Sequence, residues 1–153
     1  MLNSLKNNKS LKEHIFKGNY RNLTGCHYFD AVDNVNVRFV DASKLEINSL
    51  GVIKGDIQMY QPKLNSKLEI IGYEWKLKLT GNEPQTFFPK NWSNDKILEE
   101  SASAITSLVK KLAPKPDGSI TYSRMYHAQS NSGVWIRWFE DANGNITSIF
   151  PEF

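Results

Sequence analysis

The distribution of hydrophobic residues predicts an α+β domain: helices at the N-terminus, antiparallel sheets through most of the chain, and one long helix among them. Three observations carry this. Apolar residues fall at helical spacing up to Phe16, alternate with polar ones from Val35 onward, and return to helical spacing in a capped segment that begins at Asn94. Helices and strands therefore come in separate runs instead of βαβ units, the order that favours α+β over a doubly wound parallel fold.

Taking the elements in order, Leu2, Leu5, Leu11, Ile15 and Phe16 stand among polar residues with no proline or glycine before Gly18. This predicts one or two short helices over residues 2–17. Residues 18–25 read as loop, and His27–Phe29 opens the next element. Val35, Val37 and Phe39 alternate with polar neighbours, as do Val52, Ile57 and Met59, so both runs predict strands. Lys54-Gly55 interrupts the second run and marks a bulge or a close backbone approach. Leu68–Leu79 predicts a long strand in which Trp75, Leu77 and Leu79 alternate with Lys76 and Lys78.

Asn94–Leu112 predicts the long helix. Ser93 suits the N-cap and Asp95 the positive helix end, while Ile97, Leu98, Ala102, Ile105, Leu108, Val109 and Leu112 trace one apolar face. Lys110 and Lys111 suit the negative end, and Pro114 and Pro116 prevent continuation. After a turn at Asp117-Gly118 come strands over 119–124, 133–139 and 145–150, with Asn143-Gly144 as a hairpin signal between the last two. The whole chain reads as one domain over 1–153, with 1–20 a mainly helical lead-in and 21–153 the α+β body.

Composition narrows the class without naming a function. A chain of 153 residues, 40% hydrophobic and 23% charged, can bury a core without a disulfide or a structural metal. Its one cysteine excludes an internal disulfide framework and a cysteine-rich zinc site. No apolar run reaches the length of a membrane span, and the first ten residues are too polar for a signal peptide. The net charge of +3 is compatible with RNA or with an acidic protein partner and is diagnostic of neither.

Chemistry rests on three histidines, His14, His27 and His127. His14 and His27 flank a glycine-containing loop. Cleavage of a ribose phosphodiester needs a base for the 2′-hydroxyl and an acid for the leaving 5′-oxygen. Imidazole titrates near 6.5, so one histidine can be neutral while another is protonated, and a neighbouring lysine would steady charge on the phosphate. By spacing alone, two partly exposed histidines packing a loop is the simpler reading. Cys26 reads as a lone buried cysteine, because in an extended segment it points away from His27. His27 with Asp30 or Asp33 gives too few ligands for a metal site. Trp75, Trp92, Trp135 and Trp138 read as core anchors before base-stacking surfaces. The chain has no glycine-rich phosphate loop.

Longer stretches add a resemblance. Thr86-Phe87-Phe88-Pro89-Lys90-Asn91-Trp92-Ser93, running straight into the helix from Asn94, resembles the phenylalanine–proline–tryptophan segment of the bacterial EndoU toxin family. His14-Ile15-Phe16-Lys17-Gly18 resembles its first-histidine motif, and Gly25-Cys26-His27-Tyr28 its glycine–histidine motif. Asn131-Ser132-Gly133-Val134-Trp135-Ile136, with Gly144 through Pro151, resembles its closing hairpin. The four lie in the family's order and cover the chain from about Lys12 to Phe153.

The resemblance implies a two-histidine, ribonuclease-A-like architecture that cleaves RNA, often 3′ of uridine, and leaves a 2′,3′-cyclic phosphate. It implies no nucleotide cofactor and leaves a manganese requirement open. Carried over by motif, His14 is the general base and His27 the general acid. The family's lysine lies on a strand after the second histidine, and its counterpart here is Lys54, with Asp56 the alternative in the neighbouring register. The family's C-terminal hydroxyl, one residue, tyrosine and proline fall on Ser148, Ile149, Phe150 and Pro151. Ser148 would then bond a base carbonyl or position the phosphate. Phe150 keeps a stacking face but lacks the phenol, which puts uridine selectivity in question. Thr24 replaces the first of the family's paired glycines, and His127 matches no family position and reads as an ordinary polar residue.

The resemblance further implies the detachable C-terminal domain of a contact-dependent growth inhibition toxin or a related polymorphic toxin. Such a domain is delivered from the cell surface, acts on RNA such as tRNA in the target-cell cytoplasm, and is neutralised by a cognate immunity protein. Two other classes stay open: a catalytically inactive RNA-binding module, and a secretion-associated interaction domain.

Overall fold

The computed structural model describes residues 1–19, 23–32, 36–78, 84–115, 117–118 and 120–153. The sequence expectations at Asp33, Val35, Leu79, Pro116 and Ser119 lie outside these residues. The one or two short helices expected over 2–17 are present as two, α1 (Leu2–Asn7) and α2 (Lys9–Phe16). Asn8 separates them, and its side chain accepts the Leu11 amide at 3.0 Å, capping α2.

Among the described residues ten strands follow: β1 (Val37–Phe39), β2 (Glu46–Ile47), β3 (Ile53–Lys54), β4 (Ile57–Leu64), β5 (Ile70–Leu77), β6 (Thr86–Phe87), β7 (Lys111–Pro114), β8 (Thr121–Gln129), β9 (Trp135–Glu140) and β10 (Ile146–Pro151). They form three sheets ordered β1-β4-β5, β10-β9-β8-β7 and β2-β3-β6, and every described pairing is antiparallel. The Asn143-Gly144 hairpin joins β9 to β10, with Gly144 at φ 79° as a tight turn there requires. Gly55 separates β3 from β4, and a Cβ there would meet Leu45 Cδ2 at 2.2 Å, a close approach.

The helix α3 (Asn94–Ile105) starts where expected, with the Ser93 hydroxyl accepting the Lys96 amide at 3.1 Å. Its far end corrects the expectation of a helix to Leu112. The chain leaves the helix at Thr106, and Lys111 and Leu112 pair instead with His127 and Tyr126 of β8. Leu108 and Val109, which continue the helical apolar period in sequence, are exposed. The β8 ladder offers this segment backbone hydrogen bonds that a last helical turn facing solvent could not better.

Two buried clusters underlie the fold. The larger joins Leu5, Leu11 and Ile15 of α1 and α2 to Ile97 of α3, Trp138 of β9 and Ile149 of β10. The helical lead-in is thus built into the main core, where each fully buried Leu or Ile contributes about 1.5–3 kcal/mol. The smaller joins Val37, Ile57 and Met59 to Cys26, Ile53 and Phe87. Phe87 and Phe88 are adjacent yet enter opposite clusters, as extended backbone dictates. The chain around residues 25–28 and 85–88 therefore runs along the seam between the two cores.

Candidate active site

Residues 25–27 lie against the C-terminal end of α2. The Cys26 amide donates to the His14 carbonyl at 2.8 Å and the His27 amide to the Ile15 carbonyl at 2.7 Å. Gly25 makes this approach possible: it has φ 74°, and a Cβ on it would stand 2.2 Å from the His14 carbonyl oxygen. Cys26 also adopts a left-handed conformation, at φ 67°. The segment is therefore not extended at this point, although Cys26 still turns into the smaller core while His27 lines the cleft. Such backbone costs about 1–3 kcal/mol and persists where surrounding bonds hold it.

This docking brings the two histidines together, their ring centroids 5.5 Å apart. His27 is buried, and its Nδ1 lies 2.8 Å from the Thr86 carbonyl oxygen. A carbonyl only accepts, so Nδ1 carries the proton and Nε2 is left to exchange one. The Thr86 hydroxyl in turn donates to the Pro151 carbonyl at 2.6 Å, tying β6 to the end of β10. The His27 ring stacks on Phe150 at 5.4 Å between centroids. Phe150 and Ser148 flank Ile149, whose side chain fills the main core, so alternation along β10 turns both outward.

A cleft of about 250 Å³ is lined by His14, His27, Lys78, Gln85, Ser148 and Phe150, together with Thr24, Gly25, Leu23 and Pro84. The lysine in it is Lys78, one residue beyond β5. Its Nζ donates to the Gly25 carbonyl at 2.9 Å and to the Gln85 side-chain oxygen. Gln85 is buried and spends its own amide nitrogen on the Cys26 carbonyl at 2.7 Å. Lys54 stands elsewhere. It pairs with Glu46 at 3.0 Å, lies 4.5 Å from the Phe153 ring centroid, and lines a neighbouring depression with Asp56. The structure thus brings four of the five expected site residues into one cleft and adds Lys78 and Gln85. No local pattern marks those two in the sequence, because contacts 53 and 60 residues away position them.

The electrostatics follow from burial beside a cation. Burial pulls the His14 imidazole down to about 4, and the Lys78 ammonium adds to the shift. Burial, then Lys78 and His14, hold the His27 imidazole well below its usual range, partly offset by the Thr86 carbonyl. Burial lowers the Lys78 ammonium to about 8. Both imidazoles are therefore neutral at pH 7 until something anionic enters. Burial raises the Cys26 thiol to about 11, which leaves it unreactive.

The other singled-out residues fall outside the cleft. His127 is buried on β8, with Nδ1 2.7 Å from a Glu152 carboxylate oxygen that also accepts Arg137 Nε at 2.6 Å. Trp138 is fully buried, Trp92 stacks on Phe88, and Trp135 packs on His127. Trp75, half-exposed like Trp92 and Trp135, packs on Tyr60 with the Arg38 guanidinium 4.1 Å from its ring centroid. Among the described residues no three His, Cys, Asp or Glu side chains converge as a metal-ligand set, and no helix is long and apolar enough to cross a membrane.

Comparison with known proteins gives the chain's family. A protein of Bacillus cereus named Toxin is 24% identical over 143 residues, covering 91% of this chain and 22% of that protein. The chain thus spans under a quarter of its relative's length. No solved structure matches. Residues 8–152, which include every residue lining the cleft, match the family described as Bacterial EndoU nuclease, and the chain belongs to that family.

Proposed function

We propose that this domain is an endoribonuclease toxin that cuts RNA by general acid–base catalysis, with His14 and His27 as the proton-transfer pair. The observation that carries the reading is the 5.5 Å approach of the two rings in a cleft that also holds the Lys78 ammonium. His14 removes the proton of a ribose 2′-hydroxyl. The 2′-oxygen forms a bond to phosphorus as the bond from phosphorus to the 5′-oxygen breaks, and His27 Nε2 delivers a proton to that leaving oxygen. The products are a 2′,3′-cyclic phosphate and a free 5′-hydroxyl.

Lys78 takes the phosphate-stabilising part that the resemblance alone assigned to Lys54, since its ammonium lines the cleft and Lys54 is held by Glu46. The substrate completes the proton inventory: an RNA phosphate beside His27 offsets the burial and the Lys78 ammonium that depress it, so the imidazolium forms as RNA binds. Phe150, stacked on His27, offers its ring to a flanking base, and Ser148 is placed to bond that base or the phosphate.

The name and greater length of the B. cereus relative support a toxin domain carried on a longer protein. Delivery from the cell surface and action in the target-cell cytoplasm are proposed from the family resemblance alone. An acidic immunity protein covering the cleft would inhibit it. A tRNA is the proposed substrate. The experiment is incubation of the purified chain with total cellular RNA, in manganese or in chelator, followed by sequencing of fragment ends. Cyclic-phosphate ends at defined sites are expected. Intact RNA in both conditions, at amounts that retard RNA in a gel, would leave a binding module instead.

A further inference from the structure

The surface beyond the cleft is shaped by two adjacent faces of α2. Ser10, His14 and Lys17 face a hollow of about 460 Å³, which meets the catalytic cleft at His14 and Thr24. Lys9, Lys12 and Phe16 face the first turn of α3 and, with Lys6, line a groove of about 570 Å³. Glu13 and Lys17 border both hollow and groove. Cleft, hollow and groove thus follow one another along the helix that carries His14.

Charge changes along this path. The groove carries Lys6, Lys9, Lys12 and Lys17 against Glu13 and Asp95. None of these four lysines forms a salt bridge among the described residues, whereas Lys44, Lys54 and Lys96 each pair with a carboxylate. Lys9 and Lys12 are three residues apart, so they project from one face of α2, their Cα atoms about 4–5 Å apart along its axis, and both line the groove. Unpaired ammonium groups in a row leading to a phosphodiester-cleaving centre suit a polyanion that enters that centre.

From this we infer that the α1–α2 groove is a second RNA subsite, binding the phosphate backbone of nucleotides beyond those in the cleft. The inference rests on the reading of the cleft as RNA-cleaving and adds that long RNA is favoured over short. Each phosphate held by a lysine releases counterions, so binding weakens with salt by about 0.7 in log–log slope per contact on a single strand.

The test compares the parent with the triple variant Lys6→Glu, Lys9→Glu, Lys12→Glu, none of which lines the catalytic cleft. Steady-state kinetics are measured on a tRNA-sized RNA and on a dinucleoside monophosphate, with thermal melting as a check on folding. On long RNA KM is expected to rise about tenfold or more with kcat retained, and the salt slope to fall by about two. On the dinucleoside substrate both constants stay within about twofold. Unchanged kinetics on long RNA would overturn the inference, the result expected if the groove receives an acidic protein instead. An equal loss on both substrates would also overturn it. Should the parent cleave neither substrate, the RNA-cleaving reading fails by itself. Fluorescence anisotropy of long RNA then decides the groove: binding weaker by about tenfold in the variant supports it, and equal binding removes it.

Discussion

Two histidine clusters in this molecule are set apart by the presence of an anion. Around His127, the Glu152 carboxylate accepts from both His127 Nδ1 and Arg137 Nε, so an anion of the chain itself faces this cluster, although His127 Nε2 is buried without a partner among the described residues. Around His14 and His27 the nearby charge is Lys78, and no carboxylate is among the described lining residues. The first arrangement stabilises a fold. The second leaves two imidazoles and an ammonium together in a cleft, a setting that suits the phosphodiester of the proposed reaction. Under the proposed function, burial by itself does not separate a structural histidine from one that moves a proton; compensation does.

The largest effect expected from breaking this contrast is at the chemistry. His14→Ala or His27→Ala should each lower kcat by about 100- to 10,000-fold without unfolding the protein. His127→Ala should leave kcat near the parent value and lower stability by about 1–3 kcal/mol, because Glu152 and Arg137 lose a buried partner. Chemical denaturation beside single-turnover kinetics separates the two kinds of loss. Equal catalytic loss at all three histidines would erase the distinction.

Next in size is the lysine. Lys78→Ala should lower kcat by about 100-fold or more, in the range found for loss of one preorganised charge-stabilising group. Lys54→Ala should change it by no more than about twofold, since that ammonium already serves Glu46 at the surface. Reversed magnitudes would return the phosphate role to Lys54.

Smaller, but specific to the cleft, is its pH behaviour. The kcat/KM profile reports the free enzyme. With His27 held well below its ordinary value, the protonated acid becomes scarce as pH rises, so the optimum should lie below pH 6.5. A further loss should appear above about pH 8 as Lys78 gives up its proton. His27→Ala should abolish the lower of these two alkaline limbs. An optimum above pH 8 would contradict the assignment.

The smallest effect concerns folding. The His14 pKa falls from 6.5 to about 4 on folding, so the unfolded chain binds more protons between these values. Stability should therefore decline as pH drops from 6.5 toward 4, and His14→Asn should make that decline shallower. Denaturation midpoints over this range provide the check, and an unchanged slope would count against the burial of His14.

What was legible in the sequence was local. The helical period before Gly18, the Ser93 cap and the Asn143-Gly144 hairpin each follow from the period or turn chemistry of a few neighbours. The end of α3 was not, because Leu108, Val109 and Leu112 keep helical spacing while a distant strand claims Lys111 and Leu112. The site divides in the same way. His14, His27, Ser148 and Phe150 sit in stretches whose resemblance to a family marked them, and they share one cleft. Lys78 sits in an unremarkable alternation of lysines and apolar residues. Its place depends on Gly25 and Gln85, which only the folded seam brings to it.

The central claim is that His14 and His27 transfer the protons of RNA cleavage. It is tested most directly by single-turnover rates of the parent, His14→Ala and His27→Ala on one short RNA, made either with its natural 5′-oxygen or with a nitrophenolate leaving group there. Both variants should be slow on natural RNA. The activated leaving group, which needs no acid, should restore His27→Ala toward the parent rate and leave His14→Ala slow. Variants that cleave natural RNA as fast as the parent would contradict the account.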